Sequence, residues 1–326
     1  SNAVDGGGGS DVLAQADGIN AWDITGPDAG TVTDLSGGFS DIENLSGGSD
    51  DDTFTIGSAG SLSNAIDGGG GSDVLVQTDG INSWDITGTD SGTVTDLSGG
   101  FSDIENLIGG SDSDGFSISL LGLVTGGIDG AAGTDTLAHA GGANTWTIVA
   151  ADAGTVDKVL GGFSAVENLT GGAGTDSFVF AVDQSLSGDI DGGAGLDTLD
   201  LAAYTTGLSV TLSGTGTSGL AGTTVSQSPD VDPLAGTFDN IDVLVAPATA
   251  TNTLVGADES NTWSITGSDS GVVNAMVFSN VANVVGGGSD ASFTLNLGGL
   301  AGSLEGGAGS DSLTLTDGTN SWNITT

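Results

Sequence analysis

The chain has no cysteine, one methionine, one histidine and one basic residue, Lys158, among 326 residues. Without cysteine, neither disulfides nor thiolate metal sites can staple it, so stability must come from backbone pairing and packing. With 43 acidic residues and a formal net charge of −42, it lacks the clustered Lys and Arg that phosphate binding demands. Nucleic acid is therefore excluded as a natural partner, and anionic membrane surfaces on the same ground. No secretory leader and no apolar run long enough to span a bilayer stands in the sequence, so no direct membrane insertion is expected. Catalysis has equally little material: His139 falls where two earlier repeats carry Gln15 and Gln77, which reads as a structural hydrogen-bonding slot. Paired carboxylates are abundant merely because Asp is abundant.

What the chain has in quantity is glycine, 61 residues, and repetition. The phrase DGGGGSDVL opens at Asp5 and again at Asp67, and a softened copy, DGAAGTDTL, opens at Asp129, a step of 62 residues. Trp22, Trp84 and Trp146 keep that step, as do the Ile/Val-Glu-Asn-Leu cores at Ile42 to Leu45, Ile104 to Leu107 and Val166 to Leu169. Self-similarity at a fixed period signals a stacked repeat architecture. Strand-like runs recur about every ten residues between glycine-rich punctuation, and helix signals are absent. The expectation is an all-β chain, a right-handed parallel β-solenoid with about 21 residues per coil and three coils per 62-residue repeat. Leu13, Trp22 with Ile24, and Phe54 with Ile56 alternate with polar residues at period two and should fill a thin core. The Asn of the Glu-Asn-Leu phrase reads as a backbone bond at a coil corner.

Ser1, Asn2 and Ala3 read as a vector-derived remnant. Regular repeats are expected over 4–199, divergent coils over 200–255 with an irregular loop around 214–236, and resumed repeats over 256–326, broken off mid-unit. The unfinished last unit points to a segment of a longer array, whose flanking repeats would be its first partners.

Chemistry, if any, lies in the glycine-aspartate turns. Those from Gly171 to Asp176, Gly192 to Asp197 and Gly306 to Asp311 resemble the G-G-x-G-x-D-x-U-x nonapeptide of RTX calcium-binding repeat proteins, a group that includes large bacterial repeat adhesins. The stretches from Asp197 to Leu212 and from Phe238 to Leu244 are similar to linking sequence in secreted RTX-bearing proteins. The resemblance implies a β-roll in which calcium sits between successive turns, held by Asp carboxylates and glycine carbonyls. It implies Asp52 with Asp73, Asp114 with Asp135, Asp176 with Asp197, and also Asp311, as metal ligands. The competing reading is that these aspartates cap tight turns through side-chain-to-backbone hydrogen bonds. The motif is incomplete, since Asp50, Ala131 and Ala132 stand where it has glycine, and matching turns are expected along one edge of the coil.

The expected function is a structural, adhesive stalk segment of a large secreted or cell-surface bacterial protein, calcium-stabilised, extracellular and non-enzymatic. A surface glycan or cell-surface ligand would be a further partner. A carbohydrate- or ice-binding solenoid with regular outward Thr ranks is the alternative, and a polysaccharide-active β-helix enzyme the third.

Overall fold

The computed structural model describes residues 2–227 and 231–316. Among these every regular element is a β-strand, as glycine punctuation every ten residues and β-branched runs require. The chain folds as a parallel β-solenoid. Its contacts divide into two compact units, Ser1–Gly142 with Asp152–Thr170, and Ala143–Ala151 with Gly171–Thr326.

In the first unit the chain passes back and forth between two sheets. One sheet stacks Ala21–Gly26, Thr53–Ile56, Val74–Gln77, Asn106–Gly110, Ile128–Ala131 and Val159–Ser164 in parallel, with Trp22 over Phe54, then Leu75, Leu107, Ile128 and Phe163. The facing sheet stacks Val12–Ala14, Asn44–Gly48, Ile66–Gly69 and Leu97–Ser102, with Leu13 over Leu45, Ile66 and Phe101. Further along it, Ser83–Gly88, Gly115–Ile118, Thr136–His139 and Asn168–Thr170 place Trp84 over Phe116, Leu137 and Leu169.

The Trp22 and Trp84 strands each also open an antiparallel meander. Ala21–Gly26 pairs with Ala29–Val32, which pairs with Leu35–Ser40 across the turn at Thr33-Asp34. Asp34 and its counterpart Asp96 take φ of 66° and 64°, a left-handed conformation that aspartate tolerates in tight turns. The indole of Trp22 stacks on Phe54 at 5.6 Å and 12° and meets Phe39 edge-on at 6.3 Å, and Trp84 repeats the arrangement with Phe116 and Phe101. Both indoles are fully buried. Each such pair adds about 0.5–1.5 kcal/mol beyond its burial.

The meander changes the partition of the repeat. Between Leu13 and Leu75, one repeat apart, the chain visits the sheets alternately at Leu13, Trp22, Leu45, Phe54, Ile66 and Leu75. That is five crossings, so a repeat spans two and a half coils plus a meander and not the three coils expected. A half-integer count sends successive repeats to opposite sheets: Trp22 lies in one and Trp84 in the other. Thr31 to Asp34, whose sequence has the alternation of a coil strand, belongs to the hairpin instead.

In the second unit one sheet stacks Thr145–Ala150, Ser177–Phe180, Thr198–Asp200, Val243–Val245 and Met276–Ser279. Through the antiparallel strands Ser270–Val273 and Asn261–Gly267 it continues to Ala291–Leu295 and Ser312–Leu315. The Asn-x-Trp-x-Ile phrase at Asn20, Asn82, Asn144 and Asn261 has no copy between Asp200 and Thr251, and another strand stands in its place. Val210 in Leu208–Thr215 pairs antiparallel with Thr224 and parallel with Leu254, the same two relations that Trp22 has with Val32 and Phe54. The expected loop around 214–236 is therefore largely the arm of a longer meander, with Leu220–Ser226 as its second strand and Phe238–Ile241 as its third. A further Asn-x-Trp-x-Ile phrase, Asn320 to Ile324, lies outside the described residues.

Candidate functional site

The spacing of the glycine-aspartate motif has a steric cause. In each turn the carboxylate folds back over the glycine five residues earlier. A Cβ built on Gly68, Gly130 or Gly171 would stand 2.6 Å from Oδ2 of Asp73, Asp135 or Asp176 respectively. No side chain fits there, so glycine is obligatory at the first motif position for lack of room more than for φ. Later glycines serve the backbone: Gly172 and Gly174 take φ of 92° and 147°.

The structure brings each expected pair together, in a line that is longer than a pair. The Asn20 N–H donates to Asp52 Oδ1 at 2.7 Å, the Asp52 N–H to Asp73 Oδ1 at 2.7 Å, and the Asp73 N–H to Glu105 Oε2 at 2.7 Å. Asn82, Asp114, Asp135 and Glu167 repeat the chain at 2.7, 2.6 and 2.7 Å. In the second unit Asn144, Asp176, Asp197 and Asp242 do so at 2.9, 2.8 and 2.9 Å. Each carboxylate caps a backbone N–H of the coil before it, where the sequence reading placed capping within the turn alone. Asp114 does both, its Oδ2 accepting from the Gly110 N–H at 2.6 Å. Because successive repeats exchange sheets, the Asp52–Asp73 line runs along one edge of the first unit and the Asp114–Asp135 line along the other. The expectation of a single edge is corrected accordingly.

Asp311 stands apart. It accepts the Ala291 N–H at 2.9 Å and is exposed, and the residue it caps is an alanine where the other lines have an acid, so it joins no acidic pair.

The inner carboxylates are enclosed, and three of them, Asp73, Asp135 and Asp197, are costly to ionise. Asp52, Asp73, Asp135 and Asp197 have no exposed surface, and the Oδ2 of each is buried without a hydrogen bond. Burial pushes Asp73 up to about 6; the Asp52 N–H works against this, and Glu105, Asp52 and Asp51 add to it. Asp135 rises to about 6 from burial, opposed by the Asp114 N–H and reinforced by Glu167, Asp114 and Asp129. Asp197 does the same beside Asp176, Asp242 and Asp191. Among the described residues, no three acidic or histidine side chains close into a metal cage, so any cation would take carbonyl oxygens and water as well. Carbonyls are at hand: the Gly130 oxygen and Asp114 Oδ2 converge on Gly109, each 2.5 Å from where its Cβ would be, and the Gly192 oxygen and Asp176 Oδ2 do so at Gly171 at 2.6 Å.

Sequence reasoning missed Glu43, Glu105, Glu167 and Asp242. The signal was present, since each Glu lies 32 residues after the Asp whose N–H it caps. It also missed the meander-tip aspartates: Asp28 accepts from the Ser63 N–H and hydroxyl at 2.7 and 2.9 Å, and Asp90 from those of Thr125 at 2.7 and 2.8 Å. Asn44, Asn106 and His139 take the backbone contacts read from the sequence. Asn44 and Asn106 Nδ2 bond the carbonyls of Asp11 and Asp73 at 3.0 and 3.2 Å. His139 is buried opposite Ile118, as Gln77 is opposite Ile56, and its Nδ1 accepts the Gly141 N–H at 3.3 Å.

Outward positions are chemically mixed: Ala21, Thr53, Val74 and Asn106 form one rank of the first unit. A groove of about 450 Å³ beside the arm of the second unit carries a single acid, Asp258, among Thr211, Ser213 and glycine backbone. Compared with known proteins, the chain matches no family model and no curated protein.

Proposed function

We propose that this chain is a structural, adhesive repeat segment of a large secreted or cell-surface bacterial protein of the RTX type, set in its working form by calcium. The observation that carries the reading is the lines of buried carboxylates, in which Asp52, Asp73, Asp135 and Asp197 each keep an oxygen that no hydrogen bond satisfies, in a chain with a single basic residue. Buried carboxylates without a counter-charge weaken a fold, and a hard divalent ion relieves both the desolvation and the mutual repulsion. The residues that would hold it are Asp52 with the Gly68 carbonyl, Asp114 with that of Gly130, and Asp176 with that of Gly192, where the two oxygens converge on one glycine. The remainder of the molecule supports a scaffold role: parallel ladders, stacked indoles and mixed polar outer ranks. Flanking repeats of a longer chain, and a surface glycan or cell-surface ligand, are the partners this reading implies.

Calorimetric titration of chelator-stripped protein with calcium, with melting curves in both states, tests it. Saturable binding with a raised Tm is expected. Absence of both would leave a self-sufficient solenoid and refute the calcium role.

A second reading, binding of an ordered hydroxyl surface such as a carbohydrate or ice, is favoured by one patch. Thr262, Ser292 and Ser312 form one outward rank and Ser264, Thr294 and Thr314 the next.

A further inference from the structure

The Glu-Asn-Leu phrase lies outside the G-G-x-G-x-D motif, yet its turn is built against the glycine-aspartate turn of the preceding coil in a recurring way. The Asp11 N–H donates to Glu43 Oε2, that of Asp73 to Glu105 and that of Asp135 to Glu167, each at 2.7 Å, and the Asp197 N–H donates to Asp242 Oδ2 at 2.9 Å. Two residues before each of these acids stand Asp41, Asp103, Ala165 and Asn240, all left-handed with φ of 51°, 52°, 48° and 55°. Their carbonyl oxygens turn over Gly6, Gly68, Gly130 and Gly192, so closely that a Cβ on any of those glycines would overlap them. The other oxygen over the same glycine is Oδ2 of Asp11, Asp73, Asp135 or Asp197.

Each turn pair thus gathers a carboxylate oxygen and a backbone carbonyl over one glycine, with a second carboxylate held on the N–H of the same aspartate. The Oδ2 atoms of Asp73, Asp135 and Asp197 are fully enclosed and accept no hydrogen bond. Ala165 has no polar side chain that would favour a left-handed backbone, which costs an ordinary residue about 1–2 kcal/mol. The carbonyl is nonetheless held in place in all four copies. Three hard oxygens carrying two formal charges, without a protein cation, are a donor set for an ion of the calcium class, with water completing the shell.

We infer that the Glu-Asn-Leu turns form a second class of divalent-cation site: Asp73 Oδ2, the Asp103 carbonyl and Glu105, with equivalents at Asp11, Asp41 and Glu43, at Asp135, Ala165 and Glu167, and at Asp197, Asn240 and Asp242. These sites are separate from those between paired glycine-aspartate turns, and they share with the proposed function only the choice of ion.

Native mass spectrometry of the chain loaded with calcium counts bound ions as integers. Glu105→Gln keeps an acceptor for the Asp73 N–H and removes the charge; it should lose one ion, Glu105→Gln with Glu167→Gln should lose two, and both should melt cooperatively in calcium-free buffer. An unchanged count in the Gln variants alongside a loss in Asp52→Asn would overturn the inference and leave the calcium role intact. A wild-type chain that holds no ion would overturn both. Terbium anomalous scattering from crystals of the unsubstituted chain needs no variant: a peak beside Asp73 and Glu105 supports the second class, and peaks confined to Asp52 and Gly68 refute it.

Discussion

Raising the pH from 4 to 8 in cation-free buffer should weaken this fold, and three carboxylates should account for most of the slope. Asp73, Asp135 and Asp197 each titrate near 6 in the folded chain against 3.8 as the ordinary value. A carboxyl whose folded pKa lies above its unfolded one binds its proton more tightly in the native state. Its contribution is therefore complete below about 4 and is lost as pH climbs through 6. The distance from 3.8 to about 6 corresponds to about 3 kcal/mol per group as an upper bound. Three such groups make a loss that urea denaturation at fixed ionic strength resolves easily. The substitutions Asp73→Asn, Asp135→Asn and Asp197→Asn retain an oxygen for the Asp52, Asp114 and Asp176 N–H groups and abolish the titration. The triple variant should be more stable than wild type at pH 8 and nearly flat between 4 and 8. Relief of the overall charge acts in the same direction, so the control replaces Asp17, Asp34 and Asp96 on the surface by Asn, with the same change in net charge. Equal flattening by both triples, or a wild-type chain that gains stability on going from pH 4 to 8, would refute the reasoning. Calcium should stabilise the wild type more at pH 8 than at pH 5, because it competes with the protons held by the same groups.

Gly68→Ala would drive a methyl into the Asp103 carbonyl and Asp73 Oδ2 and should cost about 2–4 kcal/mol, whereas Gly115→Ala meets nothing within 4 Å and should be neutral or slightly stabilising; paired thermal melts decide. Trp84→Ala removes a fully buried indole stacked at 5.4 Å on Phe116, with an expected loss of about 3–5 kcal/mol in denaturant titration. Asp96→Val at φ 64° should destabilise by about 1–2 kcal/mol while Asp96→Gly should not, and a Val variant as stable as wild type would mean that the hairpin turn relaxes.

The local grammar of the chain was legible from residue spacing. The 62-residue step, the ten-residue strand rhythm, the buried Trp and Ile positions and the association of Asp52 with Asp73, Asp114 with Asp135 and Asp176 with Asp197 all follow from patterns a few residues long or repeated at fixed distance. The partners of Asp73 and Asp135 were harder to see, because Glu105 and Glu167 stand in a phrase that reads as core packing and become neighbours only through a 32-residue step that includes a meander. The same meander hid the coil count. Thr31 to Asp34 has the alternation of any coil strand, and whether such a run crosses to the facing sheet or doubles back beside its predecessor depends on a turn and on the strands available to pair with it.

Period and side-chain alternation fix what each repeat buries, since they determine which side chains share a face of a strand. Which sheet receives the repeat, which edge carries its acids and which oxygens meet over its glycines depend on summing crossings over the whole unit. Two and a half coils send Trp22 and Trp84 to opposite faces; three would have sent them to the same one. That sum is set by the pairing of strands 21 to 35 residues apart, Leu45 with Ile66, Trp22 with Phe54 and Ile66 with Phe101, and it takes a definite value only once the stack has formed.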